Sequence, residues 1–172
     1  MRNLPQPGDL VGRYRIVREL GRGGMAVVME VVDPSTGEHR ALKLTLPSVQ
    51  EAEVARRFRR EFRALSRLSH PGVLKVYEFG VDDGRLWFVM ELLDGRELRE
   101  EVETWRELAP AERYRRARDI LVQLASALAA IHSRGLVHRD VTPSNIMVLP
   151  NGRTKLMDFG VVKEPGGDLT SV

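Results

Sequence analysis

From Tyr14 to Glu91 the apolar positions fall in short runs split by turn residues, and after Asp94 they change to helical spacing. Tyr14–Leu20, Ala26–Asp33 and His39–Leu46 read as strands, the last two joined by the turn composition Asp33-Pro34-Ser35-Thr36-Gly37. Phe58, Phe62, Leu65 and Leu68 then recur at helical spacing, which predicts a helix from Glu51 to about Leu68 that His70-Pro71-Gly72 stops. Two further strands, Val73–Val81 and Arg85–Glu91, flank Asp82-Asp83-Gly84. Pro110 opens a long helix with the apolar stripe Ile120, Leu124, Leu128 and Ile131. A polar loop follows Gly135, and then a hairpin, Ile146–Leu149 and Thr154–Met157 around Pro150-Asn151-Gly152. The expected fold class is α+β: a five-stranded sheet with one helix over residues 13–92, then a mainly helical portion over 93–172. Residues 1–12, with two prolines and two glycines, read as a loose, flexible leader.

Composition adjusts this picture only slightly. With 42% hydrophobic residues in 172, the chain can bury one real core. Twenty-seven Lys and Arg against 24 Asp and Glu leave a net charge of +3, too slight to argue for nucleic acid. The arginines of 56–67 and 113–118 read as solvated helix faces, since acids are interspersed and no aromatic stacking platform is. The absence of cysteine excludes disulfides, thiolate metal sites and cysteine nucleophiles. The opening MRNLPQPGDLVG has no apolar run, and Leu121–Ile131 is broken by Gln123 and Ser126, short of the roughly 20 residues a spanning helix needs. No membrane segment is expected in this chain and a cytoplasmic location follows, unless an anchor lies beyond Val172.

Three groups of residues carry candidate chemistry. Gly21-Arg22-Gly23-Gly24-Met25-Ala26 sits between two strands, where glycines let backbone N–H groups approach phosphate. A β-run follows it, so it is no Rossmann fingerprint, and without Gly-Lys-Ser/Thr it is no P-loop. A ligand-free glycine-rich turn has a similar composition. Lys43 lies in the apolar strand Ala41-Leu42-Lys43-Leu44, where it reads equally as the polar face of an alternating strand. Glu61 is more telling: with Phe58 at zero, about 100° per residue puts it near 300°, inside the apolar arc. An unpaired carboxylate there is costly, and Lys43 is the available partner. Third, His138-Arg139-Asp140-Val141-Thr142-Pro143-Ser144-Asn145 packs acid, amide and base into one loop, and Asp158-Phe159-Gly160 follows a strand. Singly these are turn chemistry. Together they offer Asp140 to accept a hydroxyl proton, with Asn145 and Asp158 as oxygen ligands for magnesium. His138 reads as a packed, hydrogen-bonded histidine rather than a ligand.

The order Gly21-x-Gly23, Ala41-x-Lys43, Glu61, Met90-Glu91-Leu92-Leu93, His138-Arg139-Asp140, Asn145, Asp158-Phe159-Gly160 resembles the eukaryotic-like protein kinases, especially the bacterial serine/threonine branch. The resemblance runs from about Tyr14 to the end. It implies a two-lobed fold, with an antiparallel N-lobe over 13–92 and part of a helical C-lobe over 93–172. It implies ATP with magnesium, a protein serine or threonine acceptor, and an ATP site that starts at Leu20. Gly21, Arg22, Gly23, Gly24, Met25, Ala26, Val27 and Val28 would cover the phosphates, and Lys43, held by Glu61, would contact the α- and β-phosphates. Glu91 and Leu93 would bind the adenine edge through their backbone, beside the gatekeeper Met90. Val28, Ala41 and Met147 would sandwich the ring, and Glu97 would lie near the ribose. Asp140 would act as base, while Asn145 and Asp158 would hold magnesium. Leu65, Val76, His138 and Phe159 match the column that links the lobes in active kinases. Arg139 matches kinases regulated by phosphorylation in the activation segment, where Thr170 and Ser171 are the available hydroxyls.

The chain departs from that pattern at three places. Ala26 replaces a usual third glycine, a mild change. Thr142 stands where serine/threonine kinases carry a lysine that touches the γ-phosphate, so slow turnover is expected, and a pseudokinase or nucleotide-binding scaffold is the alternative function. The rest of the activation segment and the later C-lobe helices do not follow, which reads as a fragment whose Leu124 and Leu128 face water. A small-molecule phosphotransferase of the aminoglycoside type is a third reading, against which Arg139 and the complete Asp-Phe-Gly argue.

Overall fold

A computed structural model describes residues 4–46 and 52–157. By contact density the chain divides into two compact units: Met1–Phe62 with Lys75–Leu92, and Arg63–Leu74 with Leu93–Val172.

The first unit is built on a sheet of β1 (Leu10–Val11), β2 (Tyr14–Arg22), β3 (Ala26–Val32), β4 (His39–Thr45), β5 (Val76–Asp82) and β6 (Arg85–Met90), in the order β1-β2-β3-β4-β6-β5 with every pair antiparallel. It has six strands where five were expected. The extra strand comes from the supposed leader: Leu10 and Val11 pair with Arg15 and Tyr14, and Val11 is 2% exposed. One buried valine anchors what composition alone marks as loose. Period-two alternation sends Val27, Met29, Val31, Leu42 and Leu44 to one face, where they bury with Ile16, Trp87 and Val89. Full burial of each aliphatic side chain contributes about 1.5–3 kcal/mol.

The opposite face receives α1 (Ala52–Ser66). Phe58 lies 4.9 Å from Phe88 and Phe62 lies 5.3 Å from Phe79, ring centroid to ring centroid, in tilted geometry. Alternation therefore places Lys43, whose neighbours Leu42 and Leu44 point into the core, on the side that α1 covers.

The second unit contains β7 (Arg96–Glu97), α2 (Leu98–Glu103), a 3-10 turn at Thr104–Glu107, α3 (Pro110–His132), β8 (Ile146–Val148) and β9 (Thr154–Leu156). The three strands form a small antiparallel sheet, β7-β8-β9. Ile120, Leu124, Ala127 and Ile131 bury one face of α3. Leu124, expected to face water, is 7% exposed, and Leu128 is only half-buried, so the buried stripe turns through Ala127 instead. Gln123, which interrupts the apolar run in sequence, holds the hairpin: its Nε2 donates to Gly152 O at 3.0 Å and its Oε1 accepts from Thr154 N at 2.9 Å.

The strand expected at Val73 begins at Val76. Val73 and Leu74 are taken by β9 instead: Leu74 N donates to Leu156 O at 3.0 Å, and Leu156 N donates to Gly72 O at 2.8 Å. No helix among the described residues is long and apolar enough to cross a membrane.

Candidate active site

The candidate residues divide between the two units, and each unit builds its own set. In the first, β2 and β3 form the glycine hairpin. Gly21 pairs with Val28 and Arg22 with Val27, Gly23 N donates to Ala26 O at 2.9 Å, and Leu46 N donates to Met25 O at 3.0 Å. Leu20 and Met25 are exposed, Val27 is buried and Val28 half-buried. Arg22 is held by Glu19 at 2.6 Å, and this bond lowers the glutamate's pKa and raises the arginine's. Gly21 and Gly24 have no positive φ, and a Cβ added at either meets nothing within 4 Å. The fold itself does not require glycine there.

Lys43 Nζ donates to Glu61 Oε1 at 2.7 Å, with side chains 16% and 12% exposed. Strand alternation brings the lysine to the α1 side, 5.8 Å from the Phe88 ring centroid, and the helical arc brings the acid to the sheet side. At the end of β6, Met90 is 9% exposed and pairs with Ala41. Glu91 N donates to Lys75 O at 2.9 Å, and Glu91 Oε1 accepts from Lys75 N at 2.7 Å, so the N–H of Glu91 is committed.

In the second unit Leu93 is half-buried and makes no hydrogen bond to the described residues. Glu97 in β7 pairs with Met147 in β8, both half-buried. The loop after α3 is organised by His138, 1% exposed. Its Nε2 faces Met157 O at 2.9 Å, and its Nδ1 accepts from Asp140 N at 3.3 Å. A carbonyl can only accept, so the ring proton sits on Nε2 and the imidazole is neutral. Arg139 adopts φ 66°, a left-handed conformation uncommon outside glycine, which turns the chain between the two.

Asp140 is exposed. Asn145 Nδ2 donates to its Oδ2 at 2.8 Å and to its carbonyl at 2.9 Å. A 3-10 turn at Pro143–Asn145 makes this reach possible, with Asn145 N donating to Thr142 O at 2.9 Å. The sequence places Asn145 among the catalytic residues and the magnesium ligands but does not show this bond, for which the short Pro-Ser-Asn spacing is the one signal. Thr142 Oγ1 lies 3.1 Å from Ser144 Oγ. Met157 is pinned twice, its N–H donating to Asn145 O at 2.8 Å and its carbonyl held by His138.

Asp158, Phe159, Gly160, Thr170 and Ser171 lie outside the described residues. Among the described residues no group of three or more His, Asp or Glu could hold a metal ion. Asn145 nonetheless suits a hard cation: its amide nitrogen is committed to Asp140, and its Oδ1 accepts no hydrogen bond among the described residues. Of the expected column, Leu65 and His138 are each buried and Val76 is half-buried, while Phe159 falls outside.

An antiparallel sheet carrying a glycine hairpin and a Lys–Glu pair, followed by a His-Arg-Asp loop ahead of a small hairpin, defines a protein kinase domain. The family model for the protein kinase domain matches residues 14–170, and the chain belongs to that family. It is 38% identical over 169 residues to the serine/threonine-protein kinase PknD of Mycobacterium tuberculosis, covering 95% of this chain and 24% of that protein. It is 39% identical over 160 residues to PknA of the same organism, covering 90% and 36%. The crystal structure of the Mycobacterium tuberculosis PknI kinase domain superimposes with a TM-score of 0.74 at 32% identity, over 94% of this chain and 65% of that one. The chain thus spans about a quarter to a third of the length of these curated relatives.

Proposed function

We propose that this chain holds the nucleotide site and catalytic loop of a serine/threonine protein kinase, which transfers the γ-phosphoryl group of ATP to a protein hydroxyl. The observation that carries the reading is the Lys43–Glu61 pair, 2.7 Å apart in a largely buried setting. A paired lysine in an apolar strand is expensive to keep, and its ammonium is oriented for contact with the α- and β-phosphates. The glycines at 21 and 24 support it, since open space with no backbone demand leaves room for phosphates against the main chain.

In this reading Glu91 and Leu93 present backbone groups to the adenine edge, Met90 limits its depth, and Val28, Ala41 and Met147 pack on the ring. Glu97 serves the ribose. Asp140 orients the acceptor hydroxyl and takes its proton as the oxygen bonds to the γ-phosphorus and the bond to the β–γ bridging oxygen breaks, releasing ADP. The Asn145 amide holds the Asp140 carboxylate in place. Magnesium, when bound, neutralises charge on the phosphate oxygens, and Asn145 and Asp158 would hold it. Thr170 and Ser171 are candidate acceptors for autophosphorylation. Serine/threonine kinases among its relatives favour a protein acceptor over a small molecule.

The test is a titration of a fluorescent ATP analogue into the protein extended through a complete kinase domain, with and without magnesium. Affinity is expected to depend on magnesium and to fall by about tenfold or more, some 1.4 kcal/mol, in Lys43→Met. Indifference to both magnesium and the substitution would sink the proposal.

A further inference from the structure

The arginine runs on α3 and α1 look alike in sequence, and the structure treats them differently. On α3 each arginine of 113–118 is answered. Arg113 donates to Leu108 O at 2.8 Å and to Arg106 O at 2.7 Å. Arg115 Nε and Arg116 Nε each donate to Glu112 at 3.0 Å, and Arg118 Nη2 donates to Asp119 Oδ1 at 2.7 Å. On α1 the acids of the run are engaged elsewhere: Glu53 takes Arg57, one turn on, and Glu61 takes Lys43 from β4. Arg56, Arg59, Arg60 and Arg63 are exposed, and their guanidinium groups have no hydrogen bond or ion pair among the described residues. Interspersed acids therefore neutralise the run on α3 and leave that on α1 charged.

These unanswered cations form one patch. With Phe58 at zero, about 100° per residue puts them between roughly 100° and 200°, away from the arc of Phe58, Phe62 and Leu65. Arg56 stands one turn before Arg59 and Arg60, and both stand one turn before Arg63, so neighbouring Cβ atoms are about 5–6 Å apart. Like charges at that spacing repel, and an anion laid along the face relieves the repulsion.

The chemistry of that anion follows from what the patch lacks. It carries no aromatic or large aliphatic side chain, since Phe58 and Phe62 are spent on Phe88 and Phe79. A helix lying in a membrane surface needs such residues to enter the acyl boundary, and single-stranded nucleic acid needs rings to stack on. Guanidinium forks alone suit carboxylates, which they bind in pairs of parallel hydrogen bonds. We propose that this face of α1 docks an extended acidic segment of a partner protein, with Asp or Glu at alternate positions. Alternate residues of an extended chain lie about 6.6 Å apart on one side, close to the arginine spacing, so successive carboxylates meet successive guanidinium groups. The surface lies apart from every side chain assigned to nucleotide, metal or proton transfer, and it does not depend on the nucleotide reading.

Fluorescence anisotropy of a labelled Glu-Ser-Glu-Ser-Glu-Ser-Glu peptide with the whole chain tests this. The comparison probes are the peptide with Lys for each Glu, an oligothymidylate and vesicles containing phosphatidylserine. The acidic peptide is expected to bind tightest, and Arg56→Gln with Arg60→Gln to weaken it about tenfold. Arg115→Gln with Arg118→Gln removes the same net charge from α3 and should leave affinity within about twofold, because acids already answer those arginines. Thermal melting of the α1 variant should not fall, since only like charges on an exposed face are removed. Equal losses in the two variants, tighter binding of any comparison probe, or indifference to the α1 substitutions would overturn the proposal.

Discussion

At Tyr14 the phenol hydroxyl donates to Glu78 Oε2 at 2.7 Å while accepting from Arg13 Nη2 at 2.9 Å, and Arg13 also reaches Asp33 at 3.2 Å. Burial first, and then the bond to Glu78, push the phenol up to about 12 from its usual 10.0. Because the folded value lies above the unfolded one, the stability this group contributes is complete below about pH 10 and is lost as pH rises through about 12. A tyrosinate absorbance titration should show a step near pH 12 that Tyr14→Phe removes. The same substitution should lower neutral-pH stability by about 1–3 kcal/mol, because it deletes both hydrogen bonds of the hydroxyl. Thr142 raises a chemical question at the same scale. Its hydroxyl lies 3.1 Å from Ser144 and brings no charge to a position where kinases of this type carry lysine. Thr142→Lys should raise the rate of phosphoryl transfer about 10²-fold with little change in ATP affinity, as expected for a donor that acts on transition-state charge. Equal rates would mean that another cation already serves.

Elements differ in why they hold their glycines. Gly80 on β5 lies under the Trp87 ring, where a Cβ would come 2.2 Å away, whereas Gly21 and Gly24 meet nothing. Gly80→Ala should therefore destabilise the sheet by about 1–3 kcal/mol of overpacking, read as a lower denaturant midpoint. Gly21→Ala with Gly24→Ala should leave that midpoint nearly unchanged and weaken nucleotide binding. A hairpin that lost stability without losing ATP affinity would show that these glycines serve the fold. Helix α3 gives a similar contrast. Leu124→Ala should cost about 2–5 kcal/mol, because the side chain is 7% exposed, while Leu121→Ala at 65% exposed should cost little.

Across the molecule, the candidate machinery is shared by two units with separable tasks. Lys43 and Glu61 belong to the first, Asp140 and Asn145 to the second. In the extended protein Asp140→Asn should leave nucleotide affinity within about twofold and lower transfer by about 10²–10⁴, the worth of a positioned base. A large loss of affinity in that variant would reassign Asp140 to nucleotide binding.

Much of this was open to sequence reading. The strand and helix periods followed from side-chain spacing, which is local, and the ordered motifs pointed to the family before any geometry. Even the Lys43–Glu61 contact could be argued, because a carboxylate on an apolar arc demands a cation and one strand lysine was at hand. Tertiary structure alone decided where local patterns had competing partners. Val73 has the character of a strand residue, yet it joins β9 through Leu156, and Leu10 and Val11 leave an apparent leader to close the sheet edge. The hold of Gln123 on the small hairpin likewise arises only when distant segments meet, whereas the bond from Asn145 to Asp140 is local and needs the 3-10 turn at Pro143–Asn145. Spacing along a chain fixes which way each side chain points, but the choice among distant partners is set by packing and by which buried polar groups can be satisfied together.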